Sequence, residues 1–167
     1  LKALETPAER PLELTEKDRA AGEAFARLVA TMRRLRAPDG CPWDREQSIA
    51  SLKPYLLEET YEVMDAIERR DWNDLREELG DLLLQPVFQA EIASSEGLFT
   101  IVDPLNAIVE KLIRRHPHVF GSVEADTADQ VLRNWEQIKR GEKAEKAAAN
   151  GEPDEASMLD SLPRALP

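Results

Sequence analysis

Residues 47–94 read QSIASLKPYLLEETYEVMDAIERRDWNDLREELGDLLLQPVFQAEIAS, and this stretch decides the fold. It parses into two helices with almost nothing between them. From about Gln47 to Arg70, with a kink or restart expected at Pro54, the residues Ile49, Leu52, Leu56, Val63 and Ile67 fall on one stripe at helical period, which predicts the buried face. Asp71 is placed to cap a second helix, about Trp72 to Ser94. After Gly80 that helix carries Leu82, Leu83, Leu84, Val87, Phe88 and Ile92 and keeps little polar face, so it is expected to be largely buried. So short a connection makes the two helices antiparallel neighbours. Pro86 conflicts with the pattern. Inside a helix it removes a hydrogen bond and crowds the carbonyl of Leu82, at about 3 kcal/mol, and a kink rather than a stop is expected because the apolar pattern resumes beyond it.

Each of these helices carries a pair of acids at a spacing of three: Glu59 with Glu62, and Glu78 with Asp81. Three helical residues rise about 4.5 Å and turn about 300°, so each pair projects from one side of its helix. In a chain with 33 acidic residues in 167, roughly six or seven such pairs arise by chance, mostly on solvated faces. The apolar company sets these two apart. Glu59 borders the predicted buried stripe, whereas Glu58 points roughly away from it. The row Glu78, Asp81, Gln85, Phe88, Ile92 runs from acid into hydrophobe along one side. On antiparallel neighbours the four acids converge, and clustered carboxylates need positive charge between them. Hard oxygen ligands of this kind suit Mg²⁺, with Mn²⁺ as a substitute.

Outward from this hairpin the chain reads as all-α. Residues 1–14, with Pro7 and Pro11, form a loose lead. Thr15 is placed to cap a helix running to about Arg36, whose inner face is Phe25, Leu28, Val29, Met32 and Leu35. The run Ala37-Pro38-Asp39-Gly40-Cys41-Pro42 breaks it and leads to Trp43 and Asp44. Asp103-Pro104 signals a helix to about Arg115, halted by His116-Pro117, and Thr127 starts another through Trp135 to about Ala148. The expected organisation is one helical domain over 15–148, followed by a polar, proline-bearing tail or linker over 149–167.

Composition bounds the function. A net charge of −11 and a pI near 4.7 argue against nucleic acid as the main partner. The single cysteine, Cys41, excludes an internal disulfide framework and fits a reducing cytoplasm, and no stretch approaches the roughly 18 apolar residues of a membrane span. Against that acidic background, Lys111, Arg114 and Arg115 stand together near the end of a helix. Cations there complement the helix dipole, and beside a metal site they also fit a phosphate clamp. His116 and His118 read as capping or packing groups rather than metal ligands. Trp43 and Trp135 read first as core anchors, with stacking on a base as the alternative.

Four segments carry a family resemblance: Cys41-Pro42-Trp43-Asp44, Leu56-Leu57-Glu58-Glu59-Thr60-Tyr61-Glu62, Leu75-Arg76-Glu77-Glu78-Leu79-Gly80-Asp81-Leu82-Leu83, and Arg114-Arg115-His116-Pro117-His118-Val119-Phe120. Together they resemble the MazG family of nucleoside triphosphate pyrophosphohydrolases over about residues 25–140. The acidic pattern is shared with all-α relatives acting on other nucleotides, and the first and last segments narrow the resemblance to MazG. It implies an antiparallel helical bundle assembled as a homodimer or larger oligomer, which cleaves a nucleoside triphosphate between the α and β phosphates by water attack at the α-phosphorus. It implies Mg²⁺ held at Glu59, Glu62, Glu78 and Asp81, and substrate contacts at Lys111, Arg115 and Trp135. Glu58 or Glu59 is then the residue that orients or deprotonates the water. Removal of noncanonical or excess nucleotides is the role implied. The chain departs from the family at Pro86, where relatives usually have an aliphatic residue. It also carries one copy of a domain that many relatives carry twice, and its ending, from Ser161 to Pro167, resembles the linker before a second copy. A reading from another class is a helical interaction module whose acidic faces bind a basic partner without catalysis.

Overall fold

The structure, a computed structural model, describes residues 13–150. Among these there are seven helices and no strand, as the all-α reading requires. The expected tail over 149–167 and lead over 1–14 fall almost wholly outside the described residues. No helix among the described residues is long and apolar enough to cross a membrane. They divide into two compact units, residues 13–108 and residues 109–150, with the division inside the fifth helix.

In the first unit, α1 (Glu16–Leu35) begins where local chemistry demands. The Asp18 amide donates to Thr15 Oγ1 at 3.3 Å and the Thr15 amide donates to the Asp18 carboxylate at 2.8 Å, a reciprocal capping box that satisfies two otherwise orphaned donors. Met32 is buried on its inner face, and Phe25, Leu28 and Val29 pack against the same cluster. A tight turn follows, in which the Cys41 amide donates to the Leu35 carbonyl at 2.8 Å. A β-carbon at Gly40 would lie 2.1 Å from that carbonyl oxygen, so only glycine fits. Pro42, whose missing N–H is no loss in a first turn, then opens α2 (Pro42–Glu46), a five-residue helix that the sequence pattern did not predict.

α3 (Lys53–Arg69) starts later than expected. Pro54 sits in its first turn and begins the helix instead of kinking it, while Ser48 and Ser51 exchange side-chain and backbone hydrogen bonds at 3.0 and 3.1 Å to close the preceding turn. Its inner row is also rotated from the predicted stripe. Leu52 and Ala66 are buried and Glu59 and Val63 half-buried, whereas Leu56 and Ile67 are exposed. Fully buried Ala66 explains the rotation: a small side chain at the hairpin contact admits close approach, and Ile67, one residue on, turns outward. Arg70 ends the helix in the left-handed region at φ 55°, and the Asp71 amide donates back to the Ala66 carbonyl at 3.0 Å.

Asp71 then caps α4 (Trp72–Ser95), its carboxylate accepting from the amides of Asn73 and Asp74 at 3.1 and 3.2 Å. Arg69 pins the corner by pairing with Asp65 at 2.7 Å, with Asp71 at 3.8 Å and with Asp74. α4 is the central helix, with α3 and α1 packed against it, and it runs unbroken through Pro86. Only its C-terminal half is buried, through Gln85, Val87, Phe88, Ala90, Ile92 and Ala93, while Leu79 and Leu83 in the other half are exposed. The expectation of a largely buried helix is thus corrected for the half that carries the acids. Met32, Leu52, Val87, Phe88 and Ile92 form the core.

α5 (Val102–Arg115) opens with the Asp103 carboxylate accepting from the Thr100 amide at 2.7 Å and from its hydroxyl at 2.8 Å. In the second unit the chain continues through the short α6 (Pro117–Phe120) to α7 (Ala128–Asn150). There Thr127 and Gln130 form a reciprocal cap, both bonds at 3.3 Å, so the start predicted at Thr127 is observed.

Candidate functional site

The antiparallel hairpin sets Glu59 of α3 against Glu78 and Asp81 of α4. One carboxylate oxygen from each lies within 4.8 Å of the other two. Glu59 and Glu78 are half-buried and Asp81 is exposed, so the cluster opens to solvent on one side. Burial, then the charges of Asp81, Glu62, Glu78 and Glu58, push the Glu59 carboxyl above the ordinary carboxylate range. The Glu78 carboxyl is likewise raised, by burial first and then by Glu62, Asp74, Asp81 and Glu77. Glu62 is therefore near enough to act electrostatically on both, but it is exposed and stands outside the close trio. Glu58 is exposed, one residue from Glu59.

A set of three carboxylates without histidine or cysteine offers only hard oxygen donors. It can hold a divalent cation, whose charge relieves the repulsion that raises Glu59 and Glu78. His116 serves as a capping group, its Nδ1 2.6 Å from the Leu112 carbonyl oxygen.

One turn before Glu59, Tyr55 meets the Trp43 ring edge-to-face at 5.7 Å, and Trp43 also touches Phe88 at 6.4 Å. Trp43 is 48% exposed, which corrects its reading as a core anchor. Arg36 holds the Cys41–Asp44 segment in place: its guanidinium donates to the carbonyls of Asp44 and of Gln47, the latter at 3.3 Å, and it lies 5.7 Å from the Phe88 ring centre.

The basic cluster belongs to the second unit. Lys111 is half-buried one turn before Arg115 on α5. Arg115 lies 5.4 Å from the Trp135 ring centre, so two of the residues singled out for substrate contact do meet. Lys139 approaches the same ring at 5.9 Å. Sequence reasoning missed Glu142. Its carboxylate accepts from Arg114 Nε at 2.8 Å and from Arg115 Nη2 at 2.6 Å and Nε at 3.1 Å. Hydrogen bonds from Arg115 first, against the effect of burial, draw its carboxyl down to about 2. The signal available in the sequence was its register: Trp135, Lys139 and Glu142 stand at i, i+4 and i+7 on α7.

Residues 47–120 match the model of the MazG nucleotide pyrophosphohydrolase domain, a span that includes the acidic trio, Lys111 and Arg115. The chain carries a domain of the MazG family. It is 54% identical over 142 residues to the nucleoside triphosphate pyrophosphohydrolase of Escherichia coli K12, covering 84% of this chain and 51% of that protein. It is 50% identical over 129 residues to the nucleoside triphosphate pyrophosphohydrolase/pyrophosphatase MazG of Thermotoga maritima, covering 77% and 49%. The crystal structure of a mazG-related protein from Thermotoga maritima superposes with a TM-score of 0.59 at 28% identity, covering 69% of this chain and 98% of that one. The chain spans about half the length of the curated relatives it matches.

Proposed function

We propose that this MazG domain is a Mg²⁺-dependent nucleoside triphosphate pyrophosphohydrolase, converting a ribo- or deoxyribonucleoside triphosphate to the monophosphate and pyrophosphate. The observation that carries this reading is the Glu59, Glu78, Asp81 trio, within 4.8 Å and with two carboxyls raised, inside the matched domain. These three, with Glu62 at the margin, hold the cation. Mg²⁺ supplies neutralisation of the polyphosphate and a lowered pKa for bound water. Glu58 or Glu59 orients the attacking water, and Lys111, Arg115 and Trp135 receive the phosphates and the nucleoside. The names of the two relatives support the same substrate class.

The domain acts as a homo-oligomer in the cytoplasm, clearing noncanonical or excess nucleotides. Support for assembly comes from Leu57, Tyr61 and Met64, which stand at i, i+4 and i+7 on α3 and are each about half exposed. Pyrophosphate release from a nucleotide panel with Mg²⁺ tests the activity, comparing the parent with Glu59→Gln and Asp81→Asn. If the parent releases no more than the variants from any nucleotide, the chain is a binding module and the proposal fails.

A further inference from the structure

The contacts of Glu142 go beyond joining two helices. Its side chain is 15% exposed and that of Arg115 17%, so their hydrogen bonds are largely shielded from water. Arg114, 53% exposed, takes Oε1 of the carboxylate through Nε and Nη2, both at 2.8 Å, while the shorter Arg115 contacts are to Oε2. Both guanidinium groups offer Glu142 the same edge, Nε with Nη2. Among the described residues neither Nη1 has a hydrogen-bond partner. Trp135, 5.4 Å from the Arg115 guanidinium, restricts it further. One carboxylate against two guanidiniums leaves a net positive charge, to which Lys139 beside the Trp135 ring adds another. The cluster is thus oriented without being neutralised. A free arginine has several rotatable bonds to order on meeting a phosphate, and one already held on its Nε edge has fewer.

We propose that Glu142 is a positioning residue that holds Arg115, and with it Arg114, so that their Nη1 edges receive the polyphosphate of the substrate. This rests on the reading of Arg115 as a substrate contact, and the test separates the two. Isothermal titration of the full chain with inorganic tripolyphosphate and Mg²⁺ is run on the parent, Glu142→Gln, Glu142→Asp, Arg115→Ala and the Arg115→Ala/Glu142→Gln double variant, with steady-state kinetics alongside. Glu142→Gln is expected to weaken tripolyphosphate binding about tenfold, the scale of one hydrogen bond to a charged group, and to raise KM similarly while kcat changes by less than about twofold. Glu142→Asp restores part of the affinity. In the Arg115→Ala background, Glu142→Gln adds little, because the two act through one guanidinium. Unchanged or tighter binding in Glu142→Gln, with Arg115→Ala weakened, overturns the positioning role alone and makes Glu142 a tie between helices or a competing anion. Binding and KM unmoved by Arg115→Ala overturn the substrate contact itself and the positioning role with it.

Discussion

Replacing Glu59 by Gln should make the protein more stable without metal and less stable with it. Glu59 is one of the two half-buried members of the trio, and its carboxyl is raised by burial and then by Asp81. Two unit charges at the 4.8 Å limit of this cluster repel by about 1 kcal/mol even when water screens them fully. Removing the Glu59 charge relieves that repulsion and the burial penalty together, so in EDTA the variant should melt about 3–4 °C above the parent. The sign reverses with the cation. A ligand that binds only the folded state at a hundred times its dissociation constant stabilises by about 2.7 kcal/mol, and the parent should gain several degrees that the variant largely forgoes. Differential scanning fluorimetry with a Mg²⁺ titration at pH 8, well above the ordinary carboxylate range, reads both arms. The acid arm has a definite direction. A carboxyl raised on folding destabilises above its folded pKa and ceases to do so below its unfolded one, so the metal-free difference between variant and parent shrinks as pH falls through that window. Equal Mg²⁺ shifts in parent and Glu59→Gln, or a variant that melts below the parent in EDTA, would refute the cluster as the cation site.

Glu142 predicts the opposite pH response: its carboxyl is drawn down to about 2, so its contribution is complete above about pH 5 and is lost as pH falls toward 2. Acid unfolding followed by circular dichroism should show that loss in the parent and not in Glu142→Gln. Gly40→Ala should destabilise by about 2–3 kcal/mol in urea, because its β-carbon meets the Leu35 carbonyl at 2.1 Å and the backbone must shift. Asp71→Ala should lower stability by about 1 kcal/mol through loss of the α4 cap, and an unchanged urea midpoint would show that the amides of Asn73 and Asp74 find other partners.

What was legible in the sequence was what chemistry decides locally. Thr15 and Asp71 cap where expected because a cap is a hydrogen bond across two or three residues. The meeting of Glu59 with Glu78 and Asp81 followed from the connection: Arg70 and Asp71 alone join the helices, which leaves only an antiparallel hairpin. Rotation about a helix axis is not local. Burial of Ala66 in place of Ile67 depends on how closely α4 approaches, and a hydrophobicity stripe favours the larger side chain. Trp43 misled for a related reason, since a tryptophan's size argues for burial while its neighbours Tyr55 and Phe88 leave half of it outside. Glu142 was hidden by distance along the chain: it stands 27 positions beyond Arg115, and its register with Trp135 and Lys139 on α7 marks a shared face without naming the arginine that meets it.

The acidic composition itself has a different consequence in each unit. Around Glu59 and Glu78, carboxylates face one another with no arginine or lysine among the charges that shift them, so the repulsion persists in the fold and only a bound cation or protons can relieve it. Around Arg115 the proportions are reversed, with two guanidiniums on one carboxylate and Lys139 beside the Trp135 ring. Moving one acid from the first cluster to the second would lessen repulsion in both. An acidic chain that instead keeps an acidic cluster and a basic one leaves repulsion in place at both, and the magnesium-bound polyphosphate of the proposed reaction carries both signs of charge that would relieve it.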